Sequence, residues 1–299
     1  MNREKLVNLY DLGCRNFYKA NLSGLDLSGI MLIGVNLKEA NLTGANLSGA
    51  FLTKCDLREA TLNWANLSFA KMSEINLEQA DLTKANLSGA FMVRANLASA
   101  RLRGTNLSYT NLHSSNLSEA NICEAIMRKA NLRKANLQGT NFRCADLRES
   151  RLTGAQLEKV ALIGANLSQS HLIDVDFKGR DLTGINLSQA KLTRANLSHA
   201  NLSNANLSEA QLRNANLHQA NLYQADLSKA QLKGGDLSSA DLTNTDLTNA
   251  DLTNANLEYA VLHYIILESP RPNLVDFLLN LLKVANNSFG YGAPQIKTA

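Results

Sequence analysis

The sequence is short of proline, aromatics and long apolar runs. It has three Pro and one Trp, and aromatics make up 5% of its 299 residues. That leaves little material for a large aromatic-walled pocket. No stretch approaches the roughly 18 consecutive apolar residues of a membrane span. The opening MNREKLVNLYDLG lacks the apolar centre and cleavage site of a secretory signal, so a soluble, cytoplasmic protein is expected. Four Cys are too few for a disulfide scaffold. Neither sign of charge dominates, with 30 Lys+Arg against 26 Asp+Glu. At 45% hydrophobic the chain is too apolar to be disordered.

What the sequence does have is a repeat of five. Stepping by five from Leu12 to Leu267 gives 52 positions, of which 45 are Leu and the rest Phe, Met or Ile. Two residues before each centre stands, in most units, Ala or another small or aliphatic residue. The residue just before is usually Asn or Asp, and the one just after is often Ser or Thr. A helix would scatter every fifth residue over all its faces. A strand instead puts positions i and i−2 on one side. Each pentapeptide is therefore read as a short extended piece plus a turn, with Leu and Ala inward and Asn/Asp outward.

Departures from the Asn/Asp rule fix the coil. Nine of them recur by twenty in one column: Met31, Phe51, Lys71, Phe91, Arg151, His171, Lys191, Gln211 and Gln231. Twenty residues per coil means four sides, and the 52 pentapeptides predict about 13 coils. At the spacing of stacked strands such a rod would be ~60 Å long.

Runs such as ANLTGANLSGA and ANLSHANLSNANLSEA make the chain resemble the pentapeptide repeat proteins over residues 12–267. The resemblance implies an all-β solenoid, a right-handed quadrilateral β-helix. The segment LVNLYDLGCRNF also resembles the short helical N-terminal cap of cyanobacterial members. The expected organisation is a helical cap at 1–11, repeats at 12–268, a capping helix at 269–286 and a flexible tail at 287–299. Open solenoid ends need such caps. In the second cap, Leu274, Phe277, Leu278, Leu281 and Leu282 lie on one helical stripe. Its apolar surface exceeds what a cap alone requires, and so offers a homodimer contact as well.

No catalytic constellation, cofactor motif or metal cluster is found. His199 and His218 fall on adjacent coils of one side, but a metal site wants a third ligand, and the carboxylates on that side stand about two coils away or more. No strand–turn–helix Gly-x-Ser-x-Gly elbow frames a nucleophilic Ser. Cys123 and Cys144 are neighbours on adjoining coils, and a reducing cytosol would keep them apart. Arg180 breaks the inward rule by standing where Ala belongs. An irregularity is expected there, either a bulge or a carboxylate partner, because a buried unpaired guanidinium is prohibitive.

Charge by side is informative. The side of the departing column carries ten cations against four acids. They include Lys54, Lys71, Arg94, Arg133, Arg151, Lys191, Arg194 and Arg213, with His171 beside them. Its first coils also turn Met31, Ile33, Phe51, Phe91 and Val93 outward. Exposed apolar patches of this kind mark partner sites. The expectation is a non-enzymatic protein–protein interaction scaffold that binds an acidic and apolar partner through this side. The resemblance adds that some cyanobacterial members regulate cell differentiation. It also supplies an alternative, because gyrase-protecting members mimic duplex DNA. That needs a strongly acidic rod, which this chain is not. Direct nucleic-acid binding along the basic side is a third reading, weakened by the scarcity of interleaved aromatics.

Overall fold

A computed structural model of the protein describes residues 1–267 and the backbone of 295–298. The chain forms two compact units, Met1–Ala161 and Leu162–Ala299. The same coil builds both. Within each unit, parallel bridges join residue n to residue n+20, as in Asn46↔Asn66 and Asn206↔Asp226. One turn of the coil therefore consumes twenty residues.

The pentapeptide satisfies its own backbone. Around Leu47, the Leu47 N–H donates to Asn66 O of the next coil (2.6 Å), and Gly49 N–H donates to Ser68 O (2.8 Å). Asn46 N–H reaches back to Leu25 O (2.9 Å), and Ala50 N–H closes the turn on Leu47 O (3.0 Å). The fifth donor, Ser48 N–H, goes to the Asn46 side-chain Oδ1 (3.2 Å). The same five bonds recur around Leu207 in the second unit. Every amide of these two pentapeptides is paired, as burial and stacking demand. The Asn/Asp preference follows, because only a short side chain with an acceptor oxygen can hold the amide two residues on.

Each four-residue turn places its third residue in the left-handed region. All fifty such positions from Lys19 to Tyr264 have φ between 54° and 72°, and 37 of them are not glycine. None is Thr, Val, Ile or Pro. β-Branched side chains are strongly disfavoured there, and proline cannot adopt a positive φ.

Leu and Ala columns fill the bore, and almost all are buried. Each buried Leu contributes roughly 1.5–3 kcal/mol before entropy is subtracted. Some hydroxyls that replace Ala turn their proton onto a carbonyl of the neighbouring coil, whereas Thr110 and Ser170 bond the carbonyl three residues back in their own turn. Thr105 Oγ1 donates to Leu82 O (2.9 Å) and Thr140 Oγ1 to Leu117 O (2.9 Å). Cys55 holds the same inward position two before its centre, and burial pushes its thiol up to about 11. All four cysteines are free thiols.

Helix α1, Arg3–Asp11, precedes the first coil, with Asn2 as its N-cap and Leu6 buried. Arg3 donates to Asp26 O and Ser28 O, and the Tyr10 hydroxyl accepts Ile33 N–H (3.2 Å). Arg15 lies over the Tyr10 ring at 3.8 Å and donates to Tyr10 O (2.7 Å). One expectation fails here. Leu12 is not the first inward centre. It is the C-cap of α1 and 84% exposed, and the bore begins at Phe17. The chain is still leaving the helix at Leu12, with Cys14 N–H bonded to Leu9 O.

Arg180 also departs from expectation, because the backbone around it is regular. Arg180 N–H closes its turn on Phe177 O (3.1 Å), and Arg180 O accepts Asn201 N–H (2.9 Å). The residue is half-buried, and its Nε is buried without a hydrogen-bond partner. Neither a bulge nor a carboxylate relieves it. The long stem lets the guanidinium tip travel outward while Nε stays behind.

After the last coil, strand β1 (His263–Leu267) pairs parallel with strand β2 (Gln295–Thr298). The expectation of a flexible tail over 287–299 therefore fails for these four residues. The unpaired edge of the last coil is a template that a passing segment can complete. The expected capping helix, with Leu274, Phe277, Leu278, Leu281 and Leu282, lies outside the described residues.

Candidate functional site

The Asn/Asp ladder does two jobs, so losing it has two consequences. Its Oδ1 holds an amide, and its Nδ2 links coils, as in Asn66 Nδ2 to Asn46 Oδ1 (3.2 Å). Phe, Met or Lys at that position can do neither. Such a residue gives up local bonds and puts a large side chain on the surface.

In the first unit the structure brings eight of the candidate residues together. Met31, Phe51, Lys71 and Phe91 are successive rungs of one ladder. Met31 is 54% exposed, Phe51 39% and Phe91 44%. Ile33 and Val93 stand at the turn that follows, Ile33 exposed and Val93 half-buried, with Lys54 and Arg94 exposed beside them. Arg133 and Arg151 are exposed on the same side but set apart, because the ordinary rungs Asn111 and Asn131 intervene.

Sequence reasoning missed the corner that borders this panel. Phe69 is 68% exposed and Tyr109 63%, both at the left-handed turn position two residues before the ladder. The Phe69 ring lies over Gly89, where a Cβ would come within 2.6 Å of it. Gly89 in turn sits two residues before Phe91, so the ring extends toward that rung. Lys129 lies 5.5 Å from the Tyr109 ring centroid and pairs with Glu149 (3.4 Å). Trp64, on the preceding corner, is exposed as well. The available signal was an aromatic at a position mostly held by Gly, charged or other polar residues.

The panel is less positive than the count of cations implied. Glu74 lies between Lys54 and Arg94 and pairs with both. Lys71, Arg133 and Arg151 make no ion pair among the described residues. In the second unit His171 and Lys191 are bridged rungs, and Arg194 and Arg213 stand on adjacent coils. Arg194 binds Asp174 through two 2.7 Å hydrogen bonds. That guanidinium holds the Asp174 carboxyl below its usual range. The fourteen candidates thus divide into ten in the first unit and four in the second. Large exposed apolar side chains accompany only the first group.

Among the described residues no group of three or more His, Cys, Asp or Glu is placed to hold a metal ion. No helix among them is long and apolar enough to cross a membrane.

The family model described as pentapeptide repeats matches in 8 copies, over residues 20–58, 60–97, 92–128, 130–169, 170–208, 205–244 and 236–268. No curated protein matches the chain. Among solved structures the chain is similar to HetL, a pentapeptide repeat protein involved in heterocyst differentiation regulation from the cyanobacterium Nostoc sp. strain PCC 7120. The identity is 31%, over 89% of this chain and 97% of HetL, at a TM-score of 0.43. It is also similar to Rfr23 from the cyanobacterium Cyanothece 51142, at 28% identity over 56% of this chain and 97% of Rfr23, with a TM-score of 0.17. QnrB1, a plasmid-mediated fluoroquinolone resistance protein, matches at 15% identity over 88% of this chain and 100% of QnrB1, with a TM-score of 0.29. Unbroken five-residue periodicity, twenty-residue coils and a family model matched along most of the length lead to one assignment: the chain belongs to the pentapeptide repeat family of right-handed quadrilateral β-helices.

Proposed function

We propose that this protein is a non-enzymatic interaction scaffold that docks a partner protein on the Met31–Phe91 panel of its first unit. One observation carries the reading. Four successive rungs replace Asn by Met, Phe, Lys and Phe, giving up the side-chain bond to the amide two residues on, which only Ile33 recovers, from the Tyr10 hydroxyl, and Phe69 and Tyr109 extend the apolar surface at the adjoining corner. A surface that gives up internal bonds to expose aromatics gains only if something covers it. The partner presents an apolar centre. Acidic groups at its rim meet Lys71 and, further along, Arg133 and Arg151. A regulatory role in cell differentiation, the process named for HetL, belongs to this reading. The DNA-mimic reading finds no support in a panel whose unpaired charge is positive.

The test is affinity capture from the native cell extract. Wild type runs beside a variant with Phe51→Asn, Phe91→Asn, Arg94→Ser and Arg151→Ser. The two Asn restore the commonest rung, so the variant folds. A protein retained by wild type and lost with the variant supports the reading. Identical captured sets refute it.

A further inference from the structure

The second unit holds a pair of histidines that the interaction reading does not use. His199 is exposed at a left-handed turn position with φ 58°, and His218 is half-buried on the next coil. Their backbones are tied, since His199 N–H donates to His218 O (2.8 Å). The rings meet edge to face with centroids 5.7 Å apart.

Hydrogen bonding decides which His218 nitrogen is available. Ser238 Oγ lies 2.6 Å from Asp236 Oδ1 and 2.8 Å from His218 Nδ1. An ionised carboxylate only accepts, so the serine proton goes to Asp236. The serine oxygen then accepts the His218 Nδ1–H. The neutral imidazole is therefore held with its Nε2 lone pair free. Asp236 is itself fixed, accepting Ser238 N–H (3.0 Å) and Asn256 Nδ2 (3.1 Å) on the same oxygen. A histidine whose far nitrogen is tied through a hydroxyl to a carboxylate has the outer-shell support of metal-ligating imidazoles.

We propose that His199 and His218 form a two-histidine site for an imidazole-preferring divalent transition ion such as Cu²⁺ or Zn²⁺. Rings in edge-to-face contact at 5.7 Å are close enough for both imidazoles to reach one shared ion at metal–nitrogen distances of about 2.0–2.1 Å. His199, exposed on its corner, is the ring that turns to complete the pair, and water fills the remaining positions. The third ligand that such a site wants is then water instead of a side chain, since no group of three protein ligands is placed here among the described residues. Two neutral nitrogens suit Cu²⁺, Ni²⁺ and Zn²⁺ and do not suit Mg²⁺ or Ca²⁺. An ion held this way staples adjacent coils.

The test is Cu²⁺ titration of the untagged full chain, read by calorimetry and by the nitrogen hyperfine pattern in electron paramagnetic resonance. His199→Asn and His218→Ser are the informative variants. Each installs a residue the chain already uses at that turn position, Asn204 and Ser198 being examples, and circular dichroism checks the fold. The expected result is one site per chain with two-nitrogen coordination. Each of these variants weakens it at least tenfold, Ser238→Ala weakens it about tenfold, and His113→Ser leaves it unchanged. Binding that survives both His199→Asn and His218→Ser overturns the proposal. So does binding weakened equally by His113→Ser, or no Cu²⁺ binding by wild type above the double variant.

Discussion

Replacing Arg180 by Ala is expected to stabilise the protein. The residue stands in a column where Ala is the commonest choice, and its Nε is buried with no hydrogen-bond partner. A buried donor left unpaired costs about 1–3 kcal/mol. Ordering an Arg side chain costs up to about 2 kcal/mol of rotamer freedom, and about half is recovered here because the tip stays partly exposed. Against these stands the lost burial of its stem, at about 0.8 kcal/mol per methylene and roughly 1.5 kcal/mol for a half-buried chain. The balance favours Ala by about 1–2 kcal/mol. Urea unfolding measures it as a higher midpoint at unchanged slope. Arg180→Met, which keeps the stem and removes Nε, should gain at least as much. If both variants are less stable than wild type, Nε has an acceptor or the guanidinium a partner, and the reasoning fails.

Leu97→Ala, at a fully buried centre of the first unit, should cost about 2.7–5 kcal/mol in the same assay. At the left-handed turn position of Glu59, Glu59→Val should destabilise by about 1–2 kcal/mol while Glu59→Asn is neutral or stabilising. Equal effects would show that the turn is not the constraint. Asp56 is held below its ordinary range by the hydrogen bond from Arg58, and Asp251 by that from Thr253. A depressed folded-state pKa gives stability that is complete above the unfolded value and lost as pH falls through the folded one. Stability should therefore be flat from neutral pH to about pH 5 and fall below about pH 4. Asp56→Asn keeps the amide bond and should blunt that fall, as unfolding midpoints against pH would record.

The coil was legible because its constraints are local. Leu every fifth residue, Ala two before it and Asn one before it each answer one geometric need. The period of twenty was readable from Met31, Phe51, Lys71 and Phe91, which share one ladder in the first unit. Other features were not legible because they depend on neighbours far along the chain. Glu74 neutralises Lys54 and Arg94 from a different coil, so a count by side overstated the charge. Phe69 reads as one more turn residue until its ring is seen over Gly89. The Ser238–Asp236 support of His218 joins residues that no motif connects. Arg180 was flagged for the right reason, but the chain tolerates the cost instead of bending away from it.

The most direct test of the account places a photo-crosslinking amino acid at Phe91 or Phe69, and as a control at Asn206, an ordinary rung of the second unit. Irradiation in the native cell extract should give one and the same protein adduct from Phe91 and Phe69, and none from Asn206. Equal adducts from all three positions, or none from Phe91 and Phe69, would contradict the claim that the first unit's apolar panel is the docking surface.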